Sequence, residues 1–586
     1  MKVRNVRPRT LATLKYGVIL AWITTLICKK GCKTSDGKYV IRRPEEIEHL
    51  VPLGANIAYD VEVYCGTKRY LEGYQREEIK KQLEEEHGIL ISSREVSVLA
   101  NRFVEHFKKL HAYRSQAFSQ ILKSDGGSPW HIDATGEEGS GTVLIIYAGW
   151  RKWVLGTRKI TTECTEQIKP LLFETADQFG EPLAIVRDYG RGITPSVKEF
   201  VEERKAEILI LGCHTHFIKF VGKDLLTPGY NELRLLIRKY KIQSELRRIV
   251  RAWGKELGEE IYFLKVKIES WISKEQTQTL PEGNMGLAMV RAMAQGALDY
   301  LENNNNQRFP FVLPYVEFYL RCKTLHQACE YYINHSQNDK SVLKALKRLV
   351  RVLAPVISDL SFIRINKILA YRFELFNELR TALRLNTNKQ SEKIKPGIQK
   401  PKTIAKELND IKKALKKYKV SLQRRYLQNV LAEEKQAIDT ILKHLKEHER
   451  NLWGHVFQMP KSLGGGVKIV CRTNNCLESF NGQLKQEERK RSGRKVLAKD
   501  FEELPEGVPL IKNLRQSDYV EVLCESLENL PNAIANQDYN EQVEKHINQT
   551  QTVVTKSTET ASLPKSERQF IRKINIAGFI QNAANQ

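Results

Sequence analysis

An apolar run long enough to cross a bilayer is missing from this 586-residue chain. The run 16–28, behind a basic start, imitates a signal peptide, but its 13 residues are too few to span a membrane. Lys29 and Lys30 also stand where a small-residue cleavage site would have to be. The run is therefore expected to form buried strands of a small N-terminal module, and no membrane partner is expected. A paired cysteine framework is missing too. Ten cysteines are scattered along the chain, which points to a reducing compartment. Cys28 and Cys32, with Cys65, offer half of a zinc site but lack a second close pair or a histidine to complete it, so they are read as structural. There is no internal repeat. Acidic residues are in deficit, 69 against 94 lysines and arginines, for a net charge of +25 and a pI near 9.4. That balance disfavours a neutral-metabolite enzyme and suits a polyanion, most simply nucleic acid.

What is present is concentrated between residues 129 and 226. Three apolar runs of β type (130–134, 143–147, 153–160) precede a helix whose apolar face is Ile168, Leu171, Leu172, Ala176 and Phe179. A fourth strand (183–186) follows, then a helix opened by Thr194 as N-cap with Pro195 at its first position, then a fifth strand (208–211). The order is β-β-β-α-β-α-β. Asp133 interrupts the first apolar strand, and Asp188 lies just past the fourth. An aspartate in a central strand carries a desolvation cost that a divalent cation would offset.

This order, with aspartates at those two places 55 residues apart, resembles the RNase H-like core of DDE transposases and retroviral integrases. Cys213-x-x-His216, starting 25 residues after Asp188, is similar to the C/D-x-x-H motif of Mutator-like and hAT-like superfamilies. Far along the chain, a β-type run (467–471) leads through Thr473, Asn474 and Asn475 into a helix with Glu478 in its first turn. Its T-N-N-x-x-E-x-x-N-x-x-x-K pattern resembles the Glu-bearing helix of prokaryotic insertion-sequence transposases. Leu477, Phe480 and Leu484 mark one face of that helix; Glu478, Asn481, Lys485 and Arg489 mark a neighbouring one. Glu478 is taken as the third acid over Glu487 and Glu488.

The resemblance implies catalytic and metal-holding roles for Asp133, Asp188 and Glu478, with two Mg²⁺ (or Mn²⁺) ions, and supporting roles for Cys213 and His216. His216 reads equally as a core histidine orienting the site or as a group touching metal or DNA. Asn481, Lys485, Arg489 and Arg491 would contact DNA. The implied function is cleavage and strand transfer at transposon ends in double-stranded DNA, by a homodimer or higher oligomer, in a prokaryotic cytoplasm at the nucleoid. An RNase H-like nuclease without strand transfer and a domesticated DNA-binding derivative are the alternatives.

The expected fold class is α/β plus α: a small β-rich module (1–70), a helix-turn-helix region (71–125), the first part of the core (126–228), a helical insertion (229–460), the last part of the core with the Glu helix (461–500) and a partly flexible C-terminal extension (501–586). In the second region, Ser92-x-x-Glu95 forms a capping box for a helix carrying Val96, Leu99, Phe103 and Phe107, with Arg94, Asn101 and Arg102 as candidate DNA contacts. In the insertion, long runs 230–257, 341–383 and 421–453 repeat apolar residues every three or four positions. A ladder of Leu422, Tyr426, Val430, Ala437, Ile441 and Leu445 is expected to pack within the chain. Trp453 occupies the place of a base-stacking aromatic in hAT-like enzymes, although a core tryptophan is the plainer reading.

Overall fold

The computed structural model describes residues 1–33, 37, 39–137, 141–258, 280, 283–303, 309–335, 339–385, 401–428 and 431–543. The chain is mixed α/β. Strands β4 (Pro129–Thr135), β5 (Thr142–Ala148), β6 (Trp153–Ile160), β7 (Ala184–Arg187) and β8 (Leu209–Gly212) form one five-stranded mixed sheet in the order β6-β5-β4-β7-β8. β5 and β6 are antiparallel, whereas β7 pairs in parallel with β4 and with β8. The expected strands match these within about two residues at each end. Their legibility has a simple cause: β5 reads Thr-Val-Leu-Ile-Ile-Tyr-Ala and is buried from Val143 to Ala148, the continuous apolar pattern of a strand covered on both faces.

By internal contacts the described chain divides into two units. The first contains residues 1–128, 133–181 and 477 onward. Its N-terminal hairpin, β1 (Lys2–Thr13) with β2 (Gly17–Ile27), is joined at one end by β3 (Ile41–Arg42). The expectation of buried strands fails here on one face: Leu11 and Ile23 are buried, but Val18, Leu20 and Trp22 are 52%, 61% and 67% exposed. An apolar run predicts burial, yet a sheet this narrow has only one of its faces covered. The region 1–70 is also not purely β, since helix Tyr59–Tyr70 packs on helix Ser93–Tyr113. Gly66 permits that approach; a Cβ there would sit 2.0 Å from Cδ1 of Phe103.

Helices Arg76–His87 and Ser93–Tyr113 are joined through Gly88 at φ 64°, and Ser92 Oγ accepts from Glu95 N–H at 3.1 Å. Val96, Leu99, Phe103 and Phe107 are all buried, as their spacing requires. His111, near the end of the second helix, is neutral: Nε2–H donates to Leu155 O (3.0 Å) and Nδ1 accepts from Tyr519 (2.7 Å). Burial holds its pKa down to about 4. The C-terminal extension is correspondingly folded through residue 543. Asn513 accepts from Val154 N–H (2.7 Å) and donates to Val154 O (2.8 Å), so a side chain satisfies backbone groups of β6. Most of the expected flexible tail, residues 544–586, lies outside the described residues.

The second unit contains residues 129–132 and 182–476. Its long runs are interrupted helices. The run 230–257 breaks at Lys241 (φ 53°) into His214–Lys239 and Ile242–Leu257. The run 341–383 breaks at Asp359, whose carboxylate accepts from Ser361 N–H (2.8 Å) to start the helix Leu360–Ala382. Of the proposed ladder, Leu422, Ala437, Ile441 and Leu445 are buried within the chain, on helices Pro401–Leu427 and Ala432–His448, whereas Tyr426 is exposed. Val430 lies outside the described residues. A short hairpin, β9 (Val456–Gln458) with β10 (Val467–Ile469), leads toward the helix Asn475–Ser492. Among the described residues no helix is long and apolar enough to cross a membrane.

Candidate active site

In the first unit, Asp133 is half-buried on β4, and Asn481 Nδ2 donates to its Oδ2 at 2.9 Å. Asn481 is one helical turn past Glu478 on helix Asn475–Ser492. The next two turns of the same face follow: Lys485 Nζ donates to Gly136 O (2.7 Å), and Arg489 pairs with Glu137 (3.0 Å). The 3.6-residue period thus lays one polar face along the segment that leaves β4. Glu137 also accepts from Leu497 N–H at 2.5 Å. With both oxygens engaged, it is structural. Arg491, expected at DNA, instead pairs with buried Glu488 (2.6 Å), and its side chain is only 11% exposed. Arg102 likewise turns inward, onto fully buried Glu62, which His106 also contacts at 2.6 Å. A buried carboxylate needs such partners, so these two arginines are corrected from DNA contacts to internal ones. Asn101 is exposed and accepts from Tyr70 OH (2.5 Å), and Arg94 is exposed.

In the second unit, Asp188 follows β7 in a tight turn, its Oδ1 accepting from Gly190 N–H at 2.9 Å. Buried Arg187 donates to Asp188 O (2.7 Å) and Thr194 Oγ1 (2.8 Å). Thr194 is therefore not the expected N-cap; the helix is Ile193–Arg204, and the hydroxyl serves Arg187. Tyr189 lies flat on Phe220 (5.8 Å, 11°) and against Gly212, where a Cβ would meet its hydroxyl at 2.0 Å. His216 lies in the first turn of helix His214–Lys239, which starts directly after Cys213. Asp224, on the same helix, is held by His444 Nε2 at 2.9 Å.

Asn474, legible in the sequence only as part of a turn motif, has a bonding role that the motif does not reveal. Fully buried, it donates its backbone N–H to Cys213 Sγ (3.2 Å) and Nδ2–H to Ile132 O (3.0 Å), and its Oδ1 accepts from His131 Nδ1–H (2.8 Å). One residue, just before helix Asn475–Ser492, thereby ties β4 through its side chain and the start of helix His214–Lys239 through its backbone N–H. His214 donates Nε2–H to Leu452 O (2.9 Å), and half-buried Trp453 packs edge-on to it at 5.8 Å, against the helical core.

Burial lowers His131 and His455 to about 4 and His214 well below its ordinary value. The unfolded chain titrates its histidines near 6.5, so it takes up protons first as pH falls, and the folded state loses stability from about pH 6.5 down to about 4. The expected slope is about 1.4 kcal/mol per pH unit for each such histidine. Urea unfolding at pH 7, 6 and 5 checks this; a flat profile would show that these histidines protonate in place.

Compared with models of known families, the chain matches none. A comparison with curated proteins also finds no match.

Proposed function

We propose that the chain is a DDE transposase with an RNase H-like core, which cuts DNA at the ends of a mobile element and joins those ends to target DNA. The supporting observation is the parallel pairing of β4 with β7, which sets His131 opposite Val186. Asp133 and Asp188 each stand two residues further along. The first turn of helix Asn475–Ser492 supplies Glu478, and Asn481 on that helix holds Asp133.

Asp133, Asp188 and Glu478 would supply only carboxylate oxygens, a donor chemistry that suits Mg²⁺ or Mn²⁺ rather than a softer metal. Two such ions would activate water or a 3′-hydroxyl and stabilise the leaving 3′-oxygen. The chain's own part is positional: Asn481 fixes the Asp133 carboxylate, the Gly190 turn fixes Asp188, and Asn474 fixes the start of the Glu478 helix. Exposed Arg94 and Asn101 on helix Ser93–Tyr113 are proposed to meet the element end, as a helix-turn-helix would, and the excess positive charge to hold phosphates.

The test is incubation of the full chain with duplex DNA spanning the boundary of its own coding element. Mg²⁺-dependent nicks at the boundary, followed by joined products, are expected. Cutting without joining would replace the proposal with a nuclease, and binding without cutting would replace it with a DNA-binding derivative.

A further inference from the structure

Cys28 and Cys32 lie at the end of β2, away from the proposed catalytic residues in sequence, and their Sγ atoms are 3.0 Å apart. A disulfide needs about 2.05 Å, so bond formation requires closure by only about 1 Å. The backbone already holds both ends of this loop. Cys28 N–H donates to Val40 O (3.2 Å), Val40 N–H donates to Cys32 O (2.9 Å), and Gly31, at φ 68°, donates to Cys28 O (3.1 Å). Cys28 is half-buried and Cys32 exposed, so a small oxidant reaches the pair. Lys29, Lys30 and Lys33 surround it in sequence and are all exposed; such an electropositive setting favours thiolate over thiol. The Cys32 thiol and the N–H groups of Cys32 and Lys30 donate toward Cys28 and draw its pKa down to about 7, while the same interaction raises that of Cys32. The two sulfurs are thus differentiated into attacking and resolving roles.

We propose that Cys28 and Cys32 are a dithiol–disulfide pair, oxidised by small-molecule disulfides such as oxidised glutathione. The Cys28 thiolate attacks one glutathione sulfur, forming a mixed disulfide and releasing one glutathione thiolate. Cys32 then loses its proton to solvent, and its sulfur attacks Cys28 sulfur, releasing the second glutathione. Two electrons pass to the oxidant, and one protein disulfide closes the loop at the base of the hairpin.

The test uses the full chain, reduced and then treated with oxidised glutathione, followed by intact mass and peptide mapping. The wild type is expected to lose two hydrogens and yield one peptide carrying a Cys28–Cys32 link. Cys32→Ser is expected to accumulate a glutathione adduct on Cys28, and Cys28→Ser to form neither link nor adduct at this loop. Iodoacetamide labelling of Cys28 at pH 7 should run about tenfold faster than that of an unperturbed exposed thiol. An adduct settling on another cysteine in Cys32→Ser would overturn the proposal. So would a stoichiometric zinc ion held by the untreated protein and lost in both variants.

Discussion

Asp133→Ala and Asp188→Ala are each expected to lower Mg²⁺-dependent cleavage of element-end DNA by about 10³-fold or more. Losing one carboxylate from a metal pair removes several kcal/mol of charge stabilisation, and each 1.4 kcal/mol, roughly, is a factor of ten in rate. The fold should survive, because both acids are only half-buried, Asp133 within the last half of β4 and Asp188 just past β7, so truncation leaves no sealed cavity. Asn481→Ala is the graded control. It leaves all three proposed ligands in place and removes only the amide that holds Asp133 Oδ2, so a loss of about 10- to 100-fold is expected, the usual cost of deleting a group that orients a ligand. Near-wild-type cleavage in either aspartate variant would remove that residue from the site.

The second large effect is on stability. Asn474→Ala deletes both side-chain bonds of a fully buried residue and strands Ile132 O and His131 Nδ1 without partners. At about 1 to 3 kcal/mol for each buried group left unsatisfied, the expected loss is about 2 to 5 kcal/mol by urea unfolding. Asn474→Asp keeps the acceptor for His131 but cannot donate to Ile132 O, so it should fall between wild type and alanine at pH 5 and approach alanine at pH 8. A carboxylate placed against His131 favours the protonated imidazole and raises its pKa from the low wild-type value, so a cation compensates the buried charge only at the lower pH. A loss below about 0.5 kcal/mol in Asn474→Ala would mean that water or a shifted strand replaces these bonds without cost.

The strands were legible because they are short and apolar, and the later ones are separated by helices with clear faces, so the order of elements along the chain followed from periodicity rather than from any single residue. Helix Ser93–Tyr113 was legible for a similar reason: Ser92 marks its start and Val96, Leu99, Phe103 and Phe107 mark its buried side. The breaks at Lys241 and Asp359 were not, since apolar periodicity continues on both sides of each and only backbone angles or a cap reveal the interruption. Charge misled at Arg102 and Arg491. In sequence a basic residue on a helix beside a proposed site looks available to phosphate, and only the buried Glu62 and Glu488 show otherwise. Asn474 bonds residues 261 to 343 positions away, and its neighbours in sequence carry no trace of them. Asn513 is the same case on β6.

The central claim is that Asp133, Asp188 and Glu478 hold one metal centre. Anomalous scattering from crystals of the full chain soaked in Mn²⁺ tests it most directly. The account predicts metal density bounded by carboxylate oxygens of all three residues at about 2.1 to 2.2 Å, with Glu487 and Glu488 outside it. Density that excludes either aspartate, or metal bound by other acids while Glu478 stays unliganded, would contradict it.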